Sequence, residues 1–335
     1  MQKILVTGGA GFIGSHTVVA LHEAGYTPVI IDDFSNSAAS VIDNLKDLTT
    51  SELLFFQGDV NDKPFMQKIM RDIKPSAIIH FAAKKAVSES VANPLAYYRS
   101  NVDGLLTVLE TMQENDIKSI VFSSSCTVYG EPDVCPVTED TPQKQATSPY
   151  GATKQMCERI LEDVTQSDAL NSVALRYFNP VGAHPSAKIG ELPLGDPNNL
   201  VPFLTQATAG LRGPLTVFGD DYGTPDGTCV RDFIHVMDLA EAHVSSVKYT
   251  LSHNGYNTFN IGTGHGNSVL ELIKSFESVT GQKVPYSIGA RRPGDIVKIW
   301  ADTNKAKNEL GWQTTRSLDD SMRDAWRWQQ SLKKY

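Results

Sequence analysis

Tyr150 stands four positions before Lys154 in the stretch SPYGATKQMCE (148–158), and Ser125 closes a serine triplet 25 residues upstream. Pro149 suits a first helical turn and helical spacing follows it, which puts the phenol and the ammonium on one ridge with Cβ atoms about 5–6 Å apart. Neither side chain suits a core. A phenol titrates at about 10, and bringing it to neutrality needs about 4 kcal/mol of preferential stabilisation of the phenolate. A nearby ammonium and a positively charged nicotinamide ring supply stabilisation of that kind. The chemistry such residues would do is removal of a proton from an alcohol while hydride leaves the same carbon for NAD⁺, with Ser125 hydrogen-bonding the alcohol. A Tyr-xxx-Lys pair by itself also fits a solvated helix face, so its meaning depends on what surrounds it.

What surrounds it is a glycine loop. LVTGGAGFIGSH (5–16) holds Gly8, Gly11 and Gly14 between a strand-like run and a helical pattern. There, backbone N–H groups and the helix dipole can meet a pyrophosphate. Asp32 follows at the end of the next apolar run, where a carboxylate binds an adenosine ribose, and Asp33 beside it favours NAD over NADP. Asp59 and Val60 after the third run, and Phe81, Ala82 and Ala83 after the fourth, sit where the rest of a dinucleotide would pass.

The elements that position these residues are strands buried on both faces. Short apolar runs at 4–6, 29–31, 53–56, 77–79, 120–122 and 173–175 alternate with helical patterns. That order predicts an α/β, Rossmann-type doubly wound parallel sheet, with ligands beyond the carboxyl ends of its strands. From about Asn179, Pro, Gly and Asn accumulate, which marks a smaller mixed α/β substrate lobe. We read residues 1–178 as the NAD-binding domain and 179–335 as the second, substrate-binding lobe, interleaved, with 233–262 able to return to the first.

The formal charge of −8 gives no electrostatic reason to expect nucleic acid or an anionic membrane as partner. Cys126, Cys135, Cys157 and Cys229 form no CxxC pair, and the eight histidines show no metal-ligand spacing, so no metal is expected. Free thiols, with neither a signal peptide nor a membrane span in view, suggest a cytoplasmic protein.

TGGAGFIG, Tyr150-xxx-Lys154 and a serine just before Val128-Tyr129-Gly130 resemble the extended short-chain dehydrogenases/reductases. SSSCTVYG (123–130), RYFNPVGAHPS (176–186), PNNLVPF (197–203), VFGDDYGTPDGTCVRDFIHVMDLA (217–240) and RRPGD (291–295) are similar to the UDP-glucose 4-epimerase family along essentially the whole chain. The resemblance implies that Phe12, Ile13, Phe34, Ser35, Asn36, Ser37, Lys84, Lys85, Ser100 and Phe178 join the glycines, Asp32, Asp33, Asp59, Val60, the Phe81–Ala83 segment, Ser125, Tyr150 and Lys154 around NAD. It implies that Asn179, Asn199, Thr216, Val217, Phe218, Arg231, Arg292, Pro293, Gly294 and Asp295 hold the UDP part of a substrate. The expected reaction interconverts UDP-galactose and UDP-glucose through a 4-keto sugar on tightly held NAD. A homodimer packed through helices at 94–115 and 150–166 is implied too.

Three departures qualify that picture. Ala83-Lys84 stands where the family often has Gly-Leu, so Lys85 matches the motif lysine, and Ser100 replaces a family asparagine with Asn101 beside it. Ile299 stands at the position that, by the resemblance, would wall the sugar pocket. It is bulky but smaller than the frequent tyrosine, which implies a UDP-hexose preference with weaker turnover of UDP-N-acetylhexosamines. Alternatives are an epimerase acting mainly on UDP-N-acetylhexosamines and a non-catalytic NAD-binding sensor. A 4,6-dehydratase or a decarboxylase would need carboxylates at 126–127, where this chain has Cys126 and Thr127.

Overall fold

The computed structural model describes residues 1–49, 53–168, 170–292 and 294–332. Seven parallel strands form its main sheet: β1 (Lys3–Thr7), β2 (Thr27–Asp32), β3 (Leu54–Gln57), β4 (Ala77–His80), β5 (Ser119–Ser123), β6 (Asn171–Tyr177) and β7 (Gly255–Ile261). Their order is β7-β6-β5-β4-β1-β2-β3. β1 is an inner strand, with Leu5 opposite both Val29 and Ile78. The chain reverses direction of travel across the sheet at β1, and this opens a crevice between the carboxyl ends of β1 and β4.

Strand side chains alternate between the two faces, so a run that is apolar throughout fills two cores at once. Ile4, Val6, Ile30, Ile79, Val121, Val173 and Phe259 belong to one core. Leu5, Val29, Ile31, Ile78, Ile120 and Phe122 belong to the other. Each fully buried aliphatic side chain contributes about 1.5–3 kcal/mol, which explains why no polar residue interrupts these runs. Helix α1 (Phe12–Glu23) covers the first face together with helix α4 (Val236–Thr250), while α2 (Gly104–Glu114) and α3 (Pro149–Asp168) cover the second.

A third core, with Val201, Leu204, Val217, Phe233, Leu272, Phe276 and Met322, sits between helices Leu200–Thr208, Val269–Thr280 and Leu318–Leu332. It carries a parallel pair, Leu215–Phe218 with Tyr286–Gly289, and a small sheet in which Val230–Arg231 lies between Asn267–Ser268 and Lys298–Ile299. Between the second lobe's strands and α4 the chain re-enters the main sheet, where Gly255–Ile261 pairs with Asn171–Tyr177. A fourth cluster, containing Val128, Tyr129, Val137, Phe178, Ile299 and Ala301, joins the two lobes.

The segment expected as one helix over 94–115 has a break of pitch. Pro94–Tyr98 runs into a π-helical turn at Arg99–Asp103 before α2 resumes. Such a turn inserts a residue into the ladder and redirects its side chains. Here it buries Asn101 and leaves Ser100 on the cavity described next.

Candidate functional site

The crevice opens into a cavity of about 950 Å³, at the upper end of the range for small-molecule sites. One end is backbone. Gly8 adopts φ +70°, and a Cβ there would sit 2.8 Å from the Ala82 nitrogen; at Gly14 it would sit 2.2 Å from the Gly8 carbonyl oxygen. Side chains would therefore close the cradle that these glycines keep open. Gly11 starts α1 with no side-chain cap and no acid in the first turn, so free amide groups and a positive dipole end face the cavity. Asp32 holds the rim: its carboxylate accepts from the Ala10 amide at 2.9 Å, the Phe34 amide at 3.0 Å and Ser37 Oγ at 2.7 Å. Donors for a pyrophosphate and a carboxylate for a ribose thus fit a dinucleotide.

Gly8, Gly11, Phe12, Ile13, Gly14, Asp32, Asp33, Ser35, Asn36, Ser37, Asp59, Val60, Phe81, Ala82, Ala83, Lys84, Lys85, Ser100, Tyr150 and Lys154 all border the cavity. Phe34 does not. Its φ of +60° swings the ring onto Phe55, 5.3 Å between centroids, because the apolar ring gains more from the core than from the rim. Phe178 is also away from it, packed beside Ile299 in the cluster between the lobes. Ser125 does not line the cavity either: its Oγ accepts the Thr127 amide at 3.2 Å, and its side chain is close enough to Tyr150 to favour the ionised phenol.

The reactive end is built from β5 and α3. Ser148 Oγ accepts the Gly151 amide at 3.2 Å and closes the first turn of α3. The buried stripe of that helix is Tyr150, Thr153, Lys154, Cys157, Glu158, Leu161 and Thr165, polar residues for the most part. Lys154 Nζ donates to the Ser123 carbonyl at 2.7 Å and lies 4.8 Å from the Phe122 ring centroid and 5.8 Å from that of Tyr150. Burial lowers the Lys154 pKa from 10.5 to about 8. The sequence reading has the ammonium drawing the phenol down, but burial also pushes Tyr150 up, with Tyr177 adding to it and only the Ser125 hydrogen bond opposing. Without a bound ligand, desolvation dominates at Tyr150 as at Lys154, since a buried site disfavours either charge.

Several contributors carry no sequence signal of their own. Ser123 and Tyr177 also line the cavity, their hydroxyls 2.6 Å apart. His80 at the end of β4 pairs with Thr7 of β1 at 2.8 Å, across the switch point. Burial and then the Lys154 charge bring its pKa down to about 3. Asn101 bonds both backbone groups of Lys84 (2.8 and 3.0 Å) and Thr153 of α3 at 3.1 Å. It ties the cavity wall to the reactive helix, next to the Ser100 that sequence comparison singles out.

None of the residues expected at UDP borders this cavity; they lie on separate elements from Asn179 onward. Thr216, Val217 and Phe218 form its parallel strand, and the Arg292 guanidinium stands over the Phe218 ring at 5.3 Å while pairing with Asp295 at 2.7 Å. Arg231 is in register with Ile299 and donates to the Val230 carbonyl at 3.0 Å. Asn179 pairs with Phe233, and Gly294 takes φ +83° in the turn before Asp295. Pro293 lies outside the described residues. Asn199 donates to Glu191 at 2.6 Å, and the same carboxylate takes Lys85 of the cavity at 3.3 Å. This bridge spans the two lobes.

A family model described as GDP-mannose 4,6 dehydratase matches residues 5–325. Curated relatives named UDP-glucose 4-epimerase include one from Neisseria meningitidis serogroup B, 50% identical over 98% of this chain and 97% of its own. Another, from Bacillus subtilis, is 51% identical over the same shares. Among solved structures, a UDP-glucose 4-epimerase from Stenotrophomonas maltophila with bound NAD and formylated UDP-arabinopyranose is 47% identical, with TM-score 0.98 over 100% of this chain and 99% of its own. One from Bifidobacterium longum in complex with NAD⁺ and UDP is 44% identical, with TM-score 0.95 over 98% of each chain.

Proposed function

The chain belongs to the UDP-glucose 4-epimerase family, and from that premise we infer that it interconverts UDP-galactose and UDP-glucose at the reactive end of its cavity. The cofactor is NAD, whose bound nicotinamide supplies reversible hydride acceptance at the sugar C4. Tyr150 takes the proton of the sugar 4-hydroxyl and returns it once the 4-keto sugar has turned over. Ser125 holds that hydroxyl. Lys154, anchored on the Ser123 carbonyl, keeps a positive charge one helical turn from the phenol. The observation that carries this reading is the convergence of Tyr150 and Lys154 at the end of a glycine-opened cavity, with Ser125 beside the Tyr150 phenol.

Asn179, Asn199, Thr216–Phe218, Arg231 and the Arg292–Asp295 turn would grip the UDP, which frees the sugar to rotate. Arg292 over the Phe218 ring supports a site with one flat apolar wall and one cation for phosphate. Ile299, 1% exposed and packed with Phe178, supports faster turnover of UDP-hexoses than of UDP-N-acetylhexosamines. Dehydration is disfavoured: burial pushes the Cys126 thiol up to about 12, and Thr127 is no acid at neutral pH.

Val91, Leu95, Leu106 and Met156 stand exposed on helices Val87–Ala92, Pro94–Tyr98, α2 and α3. This apolar face supports a homodimer packed through those helices. Four free cysteines suit a cytoplasmic setting, and galactose use is the pathway we propose. Incubation of purified protein with UDP-galactose and no added NAD tests the activity: UDP-glucose is the expected product, Tyr150→Phe should abolish it, and a fully active Tyr150→Phe would refute the assignment.

A further inference from the structure

We propose that Glu158 and Arg176 are a buried positioning pair for this reaction: Glu158, clamped by Arg176, holds Ser124 and thereby sets how Ser125 and the Ser123 carbonyl meet Tyr150 and Lys154. The inference rests on Tyr150 acting as the base. Three successive serines dock on one face of α3, each on a residue one turn from the next. Ser125 sits against Tyr150, the Ser123 carbonyl accepts Lys154 Nζ at 2.7 Å, and Ser124 Oγ donates to Glu158 Oε1 at 2.5 Å. Ser124 lies between the two functional serines in the chain, its contact at Glu158 is one turn beyond Lys154, and it is fully buried.

Glu158 is in turn held from every side. Arg176 Nε and Nη2 reach its two oxygens at 3.0 and 2.8 Å, and Gln143 donates at 2.8 Å. Arg176 Nη1 continues to Tyr129 Oη at 3.1 Å, and Tyr129 donates to Asn260 at 2.6 Å. The pair therefore ties α3, β6, the turn after β5 and β7 into one frame. A buried ion pair commonly stabilises a fold no better than an apolar replacement, so stability alone does not account for placing it on the reactive serines. Held by a charge-assisted bond to a carboxylate that Arg176 itself clamps, Ser124 resists sliding along the helix, and a displacement of about 1 Å at a reacting group costs on the order of 100-fold in rate.

The pair also acts on Lys154 through charge. Facing that ammonium are Tyr150, Cys157 and Glu158 of its own helix, His80 of β4 and Tyr177 at the end of β6. Glu158 favours its charged form, whereas the neutral His80 gives no support.

Two variants separate the roles, with turnover followed against pH and NAD content measured by absorbance. Ser124→Ala leaves every charge in place. It should lower kcat between about 10- and 100-fold, with KM for UDP-galactose, NAD content and the pH profile unmoved. Glu158→Gln uncovers the Arg176 charge and should move the alkaline limb of kcat to lower pH by about half a unit or more. Glu158→Gln/Arg176→Met should bring it back. Wild-type kcat in Ser124→Ala, or an unmoved limb in folded Glu158→Gln, would overturn the proposal. If Glu158→Gln does not fold, Ser124→Ala decides alone. Activity in Tyr150→Phe would sink the base assignment instead, so the two failures are distinguishable.

Discussion

Lys154→Met removes the ammonium while keeping a chain long enough to lie against Phe122. In the structure that ammonium is 5.8 Å from the centroid of the Tyr150 ring. At an effective dielectric of about 20, two unit charges at that separation interact by about 3 kcal/mol, equivalent to about two pKa units. Phenolate formation in the variant should therefore be harder by that amount, and kcat at neutral pH should fall on the order of 100-fold. The sign of the pH dependence follows from Lys154 itself. Its pKa lies below the ordinary value, at about 8, so the ammonium is present below that pH and is lost as pH rises through it. The wild-type protein should thus show a falling limb near pH 8 that Lys154→Met lacks. The acid limb of the variant should rise by about two units, so the gap between the two proteins narrows in alkali. Initial rates of UDP-glucose formation across that range, with NAD content checked, measure both effects. A variant within tenfold of wild type at neutral pH, or a rate ratio independent of pH, would refute the role given to the ammonium.

Gly14→Ala drives a Cβ to 2.2 Å from the Gly8 carbonyl oxygen, an overpacking cost of about 1–3 kcal/mol. The purified variant should hold less NAD and melt earlier, and unchanged absorbance would count against the cradle. Burial keeps His16, His80 and His243 neutral, with pKa values of about 3, 3 and 4. An unfolded histidine is protonated below about 6.5 while these are not, so each should remove about 1.4 kcal/mol of stability per pH unit below that point. Melting between pH 7 and 5 checks it, a level midpoint being the contrary result. Leu95 is 79% exposed, and Leu95→Glu would bury a charge in a self-paired face. Size-exclusion chromatography should show a monomer; an undisturbed dimer would place the interface elsewhere.

Local pattern was enough for the strands, the glycine loop and the helix bearing Tyr150 and Lys154. Continuous apolar runs, a glycine-to-helix junction and a proline in a first turn act through near neighbours in the chain. The same pattern misleads about α3. Tyr150, Lys154 and Glu158 look like a solvated ridge, yet that ridge is the buried one, because its polar groups find partners on β5 and β6 far away in sequence. The place of the Phe34 ring was hidden for the related reason that its partner, Phe55, is on another strand.

What residue types and spacing decided by themselves, then, was the chemistry on offer: a phenol and an amine one turn apart, a serine beside them, and backbone amides bare enough for a pyrophosphate. Those are properties of short segments. The tertiary structure alone decided which groups are desolvated and what each one is bonded to: Lys154 on the Ser123 carbonyl, Ser124 on Glu158, Glu158 on Arg176, Asn101 on the wall at Lys84. Such pairings join residues from different strands and helices, and the energy of a buried charge depends on all of them together.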